Sequence, residues 1–96
     1  MKSYFSRPGA TVIDVRTPEE FREKHAPGAI NVPLGEVMYR IDEFKNLSKP
    51  ILLYCQSGNR SGMAEMLLRA RGIEAVHNVG GLKEVLTTLE AIQKKV

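Results

Sequence analysis

The chain has 96 residues, enough for one domain with a core that buries about two-thirds of the unfolded surface. Hydrophobic residues make up 43% and charged residues 26%, a balance that excludes a disordered or fibrous chain. The 14 basic and 11 acidic side chains leave a net charge of +3, scattered along the sequence, which favours small anions but is too weak a bias for a nucleic-acid surface.

Positions 11–15 are rich in β-branched residues and predict a buried strand. Thr17-Pro18-Glu19-Glu20 then opens a short helix ending near Lys24. Thr17 is its cap, Pro18 suits the first helical position, and Glu20 completes a capping box. His25-Ala26-Pro27-Gly28 is a turn, and 29–32 predicts a short strand before Pro33. Over 35–44 the set Val37, Met38, Ile41 and Phe44 predicts a helix. Ser48-Lys49-Pro50 breaks the chain. The apolar run 51–54 that follows reads as a central strand buried on both faces. After a loop over 55–60, Met63, Met66, Leu67 and Ala70 form the expected apolar stripe of another helix, with Gly72 at its C-terminal cap. Met38, Met63 and Met66 are accordingly expected to pack in the core. Positions 75–79 predict a strand, Gly80-Gly81 follow, and Leu82, Val85, Leu86, Leu89 and Ile92 mark a last helix. This alternation predicts an α/β fold, a small parallel sheet with helices on both faces. Ligands of such sheets bind at the carboxyl ends of the strands, and Cys55 stands at the end of the most apolar one.

Cys55 is the chain's one cysteine, so no internal disulfide can form and no second thiol can resolve an oxidised Cys55. That excludes a dithiol oxidoreductase. Cys55, His25 and His77 lack zinc-ligand spacing, and neither a metal nor a cofactor is expected. No apolar stretch is long enough to span a bilayer, and positions 1–8 carry no signal-type apolar segment. The expectation is a cytoplasmic protein, with a mature exported form as the alternative.

The chemistry concentrates in Cys55-Gln56-Ser57-Gly58-Asn59-Arg60-Ser61. A loop that curls from a strand into a helix start aims backbone N–H groups inward and makes an anion nest. Gly58 permits the backbone conformation that this requires. A cysteine at the base of that nest, with Arg60 near, is held as the thiolate, the reactive form. Gln56, Ser57 and Asn59 make the rim polar. The plain alternative is an inert buried cysteine. The adjoining glycine, arginine and helix start argue against it.

At this point the sequence resembles the single-domain rhodanese-like family of thiosulfate sulfurtransferases. Four stretches carry the resemblance in order: Ile13-Asp14-Val15-Arg16 with Pro18-Glu19-Glu20-Phe21, the segment from His25 to Pro33, the Cys55 to Ser61 loop, and Asn78-Val79-Gly80-Gly81-Leu82. The resemblance covers nearly all of the chain from Val12 onward, and implies a three-layer fold as one domain over 1–96, with 1–10 as an unusually short lead-in. It implies a ping-pong reaction through a Cys55 persulfide, with a small anionic sulfur donor such as thiosulfate. The acceptor would be cyanide, a thiol or a protein. The residues from Gln56 to Ser61 would cradle the persulfide. A non-enzymatic sulfur carrier, sensor or interaction module is the alternative. A cysteine phosphatase or arsenate reductase is disfavoured. Those signatures place five residues between Cys and Arg, whereas four stand between Cys55 and Arg60, a smaller ring with less room for a tetrahedral oxyanion.

By the same resemblance Asp14 and Arg16 lie near the loop and support it. The ordinary alternative is a structural ion pair, for instance Arg16 with Glu19 or Glu20. His25 reads as a turn-positioning histidine rather than a base. Ser61 is an N-cap, a group facing the persulfide, or both. Gly80 and Gly81 are expected to act only through conformational freedom. A bare sheet edge beside the short lead-in would admit dimer contacts, so a monomer or weak dimer is expected, with no nucleic-acid or membrane partner.

Overall fold

The structure, a computed structural model, describes residues 2–6 and 8–93. The elements in order are α1 (Lys2–Phe5), β1 (Thr11–Asp14), α2 (Pro18–Glu23), β2 (Ile30–Asn31), a 3-10 helix (Leu34–Arg40), α3 (Ile41–Asn46), β3 (Ile51–Cys55), α4 (Asn59–Ala70), β4 (Val76–Gly81) and α5 (Leu82–Gln93). The four strands form one parallel sheet in the order β2-β1-β3-β4. The expected α/β architecture is therefore present.

All five residues of β3 are buried. Their alternation divides the core, because successive strand residues point to opposite faces. Ile51, Leu53 and Cys55 join Ile13, Val37, Phe44, Ala64 and Leu68 on one face. Leu52 and Tyr54 join Ala26, Val79, Leu82 and Val85 on the other. Cys55 thus faces the layer that holds α4, and Tyr54 the layer that holds α5.

The strand order also locates the site. From β1 the chain moves to β2 on one side, and from β3 to β4 on the other. The order reverses between β1 and β3, and a crevice opens outside the carboxyl ends of strands at such a switch point. Those ends carry Asp14 and Cys55, in adjacent strands whose register pairs Asp14 with Tyr54.

Two sequence expectations are corrected. The stretch expected as one helix over 35–44 is a 3-10 helix followed by α3, and Arg40, the last residue of the first, departs from helical geometry (φ −117°, ψ 26°) where the two meet. On α4 the buried face is Ser61, Ala64 and Leu68, while Met63 and Met66 are exposed by 52% and 66%. Spacing alone allowed either face of this weakly amphipathic helix. The polar anchorage of Ser61 and the small Ala64 against the sheet set its rotation. Met38 packs against the core at partial burial, as expected.

The lead-in, expected at 1–10, includes positions 1 and 7, which lie outside the described residues. Within it, Tyr4 and Phe5 of α1 pack against the cluster around Leu82 and Val85. The Tyr4 ring stacks on His77 of β4 with centroids 4.4 Å apart.

Candidate active site

β3 delivers Cys55 to the switch point, and the chain turns at once into α4. Gly58 makes the turn with φ +99°, the left-handed region that side chains disfavour. Its N–H then donates to Cys55 Sγ at 3.0 Å. The Ser61 hydroxyl lies 3.4 Å from the same sulfur. Cys55 is only 1% exposed and Ser61 is fully buried. Burial pushes the Cys55 thiol up, but the Ser61 hydroxyl and the N–H groups of Ser61, Ser57 and Gly58 outweigh it, so the net shift is downward. The buried sulfur is therefore surrounded by donors that favour its charged form.

Ser61 is not an N-cap. Gly58 occupies that position, with no side-chain cap. The serine instead turns into the site, where its oxygen lies 2.7 Å from Asn78 Oδ1. Gln56, Ser57 and Asn59 are exposed.

Arg60 is near the site but already engaged. Its guanidinium donates to both carboxylate oxygens of Glu20 at 2.8 and 3.0 Å. Glu20 also accepts from the Thr17 N–H at 3.0 Å, so the expected capping box forms and one carboxylate joins α2 to α4. Arg60 first, and the Thr17 N–H next, hold the Glu20 carboxyl well below the usual range, to about 2. Because that value is depressed, the stabilisation is complete above the unfolded pKa and is lost as pH falls through the folded one. The pair is about one-third exposed, so its worth is about 1 kcal/mol. Thermal melts should show the wild type losing this amount between pH 4.5 and about 2, and Glu20→Gln lacking that part of the loss. Identical acid profiles would show that the bridge contributes nothing.

Arg16 is 3% exposed and Asp14 fully buried. They form a buried ion pair with each other, rather than one between Arg16 and Glu19 or Glu20. Asp14 Oδ2 accepts from Arg16 NH2 at 2.7 Å, and Nε donates to both carboxylate oxygens at 3.0 Å. Arg16 also donates to the Lys24 carbonyl at 2.6 Å and to Gln56 Oε1 at 3.2 Å, with its guanidinium 5.7 Å from the Tyr54 ring centre. Burial alone would lower the Arg16 pKa, but the Asp14 hydrogen bond and charge raise it overall. Burial acts in the opposite direction on the Tyr54 phenol, whose charged form is the deprotonated one, and pushes it up. The pair ties the end of β1 to the rim residue Gln56.

Two asparagines escaped the sequence reading. Asn31 Nδ2 donates to the carbonyls of Asp14 and Arg16 at 2.9 and 3.0 Å, fixing the loop after β1. Asn78 binds Gly58, Ser61 and Gly80. Both sit inside the motif stretches quoted above, and an amide beside a functional loop was the available signal. His25 stacks on Phe21 at 3.7 Å, and its ring nitrogen meets the Phe21 carbonyl at 2.7 Å, a local positioning role.

Gly81 is also corrected. A Cβ there would lie 2.5 Å from the Gln56 carbonyl oxygen, so this glycine serves close contact with the loop rather than conformational freedom. Gly80, at φ +99°, does need that freedom. Beside Gln56 a cleft of about 380 Å³ opens, with Leu82 and Leu86 among its lining and Lys24 and Lys83 beside them. Among the described residues no His, Cys, Asp and Glu cluster is placed to hold a metal.

A family model for the rhodanese-like domain matches residues 1–88. The chain is 42% identical over 74 residues to the thiosulfate sulfurtransferase PspE of Escherichia coli, covering 76% of this chain and 71% of that one. It is 32% identical over 80 residues to the thiosulfate sulfurtransferase GlpE of Pseudomonas syringae, covering 83% and 74%. Among solved structures, a rhodanese with anions from Escherichia coli superposes with a TM-score of 0.71 at 41% identity, over 78% of this chain and 89% of that one. The human single-domain sulfurtransferase TSTD1 superposes with a TM-score of 0.73 at 27% identity, over 90% and 88%. With its strand order, its cysteine loop and these similarities together, the chain belongs to the rhodanese-like family and is a transferase of the rhodanese type.

Proposed function

We propose that this protein moves a sulfane sulfur from a small anionic donor such as thiosulfate to cyanide or a thiol through a persulfide on Cys55. The observation that carries this reading is the buried Sγ with an N–H donor at 3.0 Å and a hydroxyl at 3.4 Å. The Cys55 thiolate attacks the outer sulfur of thiosulfate. The sulfur–sulfur bond of the donor breaks, and its electron pair leaves with sulfite. The persulfide that results carries its negative charge on the outer sulfur, at the mouth of the nest. An acceptor then attacks that sulfur, and the pair of the breaking bond returns to Sγ. No proton, metal or cofactor is consumed in either half.

The loop N–H groups supply electrostatic preorganisation, with sulfur in the place of an oxyanion. The similarity to a rhodanese solved with anions supports an anion-binding loop here. Gln56, Ser57 and Asn59 form the polar rim, and the cleft beside Gln56 offers the acceptor, a thiol or protein, a route of approach. Asp14 and Arg16 support the loop through Gln56. We assign the activity to the cytoplasm, to a monomer or weak dimer, and to no nucleic-acid or membrane partner. No helix among the described residues is long and apolar enough to cross a membrane.

Incubation with thiosulfate followed by intact mass measurement should show the mass of one added sulfur atom, discharged by cyanide. An unmodified but otherwise reactive thiol would overturn the reading and leave a carrier or interaction module. Arg60 attracts the donor only with the charge that Glu20 leaves uncompensated. Arg60→Ala should therefore weaken thiosulfate use by about threefold to tenfold, and use of an uncharged persulfide donor by less. Equal losses for the two donors would remove Arg60 from donor binding.

A further inference from the structure

Asn78 joins three parts of the site through one amide. Its Nδ2 donates to the Gly58 carbonyl at 3.0 Å, and its Oδ1 accepts from the Gly80 N–H at 3.0 Å. A carbonyl only accepts and a backbone N–H only donates, so these two partners fix the amide orientation. Oδ1 is then the atom that faces Ser61, at 2.7 Å. An amide oxygen cannot donate, and neither can a thiolate. Ser61 is fully buried and has one hydroxyl hydrogen. That hydrogen lies between two acceptors, Asn78 Oδ1 at 2.7 Å and Cys55 Sγ at 3.4 Å.

We propose that Asn78 is a positioning residue that takes the Ser61 hydroxyl hydrogen whenever Sγ is uncharged and yields it to Sγ whenever the thiolate forms. The exchange is a rotation about the Ser61 Cβ–Oγ bond and breaks no covalent bond. With a neutral Sγ, as thiol or as the inner persulfide sulfur, the oxygen acceptor at 2.7 Å holds the hydrogen. With a charged Sγ, the charge-assisted bond wins. Asn78 Oδ1 is not left unpaired, because the Gly80 N–H remains on it. The role in turnover rests on the persulfide reading, since that cycle is what removes charge from Sγ in the first half and returns it in the second. The geometry in the free enzyme does not depend on it.

The thiolate ultraviolet absorbance of Cys55, followed against pH without any donor, reads the exchange directly. Asn78→Ala removes the competing acceptor. It should move the titration midpoint down, raising the thiolate-to-thiol ratio near the midpoint by about threefold. In a Ser61→Ala background that downward movement should be absent. A residue that merely braced the loop would do the opposite. Its loss would loosen the Gly58 N–H, move the midpoint up, and do so with or without Ser61. Either an upward shift or a shift that survives Ser61→Ala overturns the proposal.

Asn78→Asp keeps an acceptor toward Ser61 and Gly80, and it serves if the alanine variant does not fold. Its carboxylate should hold the hydrogen harder and move the midpoint up, by clearly less once Ser61 is alanine. An equal rise in both backgrounds also overturns the proposal. In single turnover, Ser61→Ala should slow persulfide discharge to cyanide by about tenfold, and unchanged discharge would remove the exchange from catalysis. If thiosulfate leaves no sulfur on the wild type, the function proposed above falls, while the donor-free titrations still decide the link between Asn78 and Ser61.

Discussion

Cys55→Ser should abolish sulfur loading from thiosulfate and lower turnover by at least about 1,000-fold, the scale of losing a nucleophile that the other site groups serve. A serine hydroxyl in the same cradle stays protonated at neutral pH and forms no stable sulfur adduct. The substitution is nearly isosteric, so the buried cluster of Ile13, Leu53 and Ala64 around it should remain packed. Circular dichroism and the melting profile should match those of the wild type. A retained fold with no adduct in the intact mass separates the loss of chemistry from a loss of structure. Persistence of the adduct would exclude Cys55 as the carrier.

The second large effect is on stability. Asp14→Ala leaves the Arg16 guanidinium buried beside the Lys24 carbonyl, Gln56 Oε1 and Tyr54, none of them an ordinary carboxylate. Removing one member of a buried ion pair costs about 3–5 kcal/mol, because the remaining charge is neither solvated nor neutralised. A domain of this size has about 5–15 kcal/mol to lose. The urea midpoint should therefore fall by about 2 M. Replacing both Asp14 and Arg16 with apolar residues of similar volume should recover part of that loss. A fall worth less than about 1 kcal/mol would show that water already reaches the pair. The Asp14 variant should also loosen Gln56, since Arg16 connects them, and slow sulfur loading even where the protein is folded.

The outcome for Arg16 shows where sequence reading stops. Its sequence neighbourhood offers Glu19 and Glu20 as well as Asp14 for a partner and does not choose among them. Asp14, the last residue of β1, pairs with Arg16 two positions further on, and burial there demands a carboxylate as close as Asp14. Glu20 was legible as a capping residue because Thr17 stands three positions before it. Its bond to Arg60 was not legible, because it joins positions 40 apart. The methionines of α4 were misplaced for a related reason. Spacing defines a stripe on a helix, but the tie between Ser61, Asn78 and Cys55 selects which stripe turns inward.

The part of this structure that is legible in the sequence is local or periodic. It includes the alternation of strands and helices, the fully apolar β3, the cap at Thr17 and the loop from Cys55 into a helix. Each of these is written in neighbours a few positions apart, where propensity and backbone geometry act directly. Which distant groups meet is set by the folded chain as a whole. The switch between β1 and β3 brings Arg16 to Gln56, α2 brings Glu20 to Arg60, and β4 brings Asn78 to Ser61 and Gly81 against the Gln56 carbonyl. Those contacts depend on strand order and helix rotation. Both follow from burying the two faces of one sheet at once, a constraint that no short stretch of sequence contains.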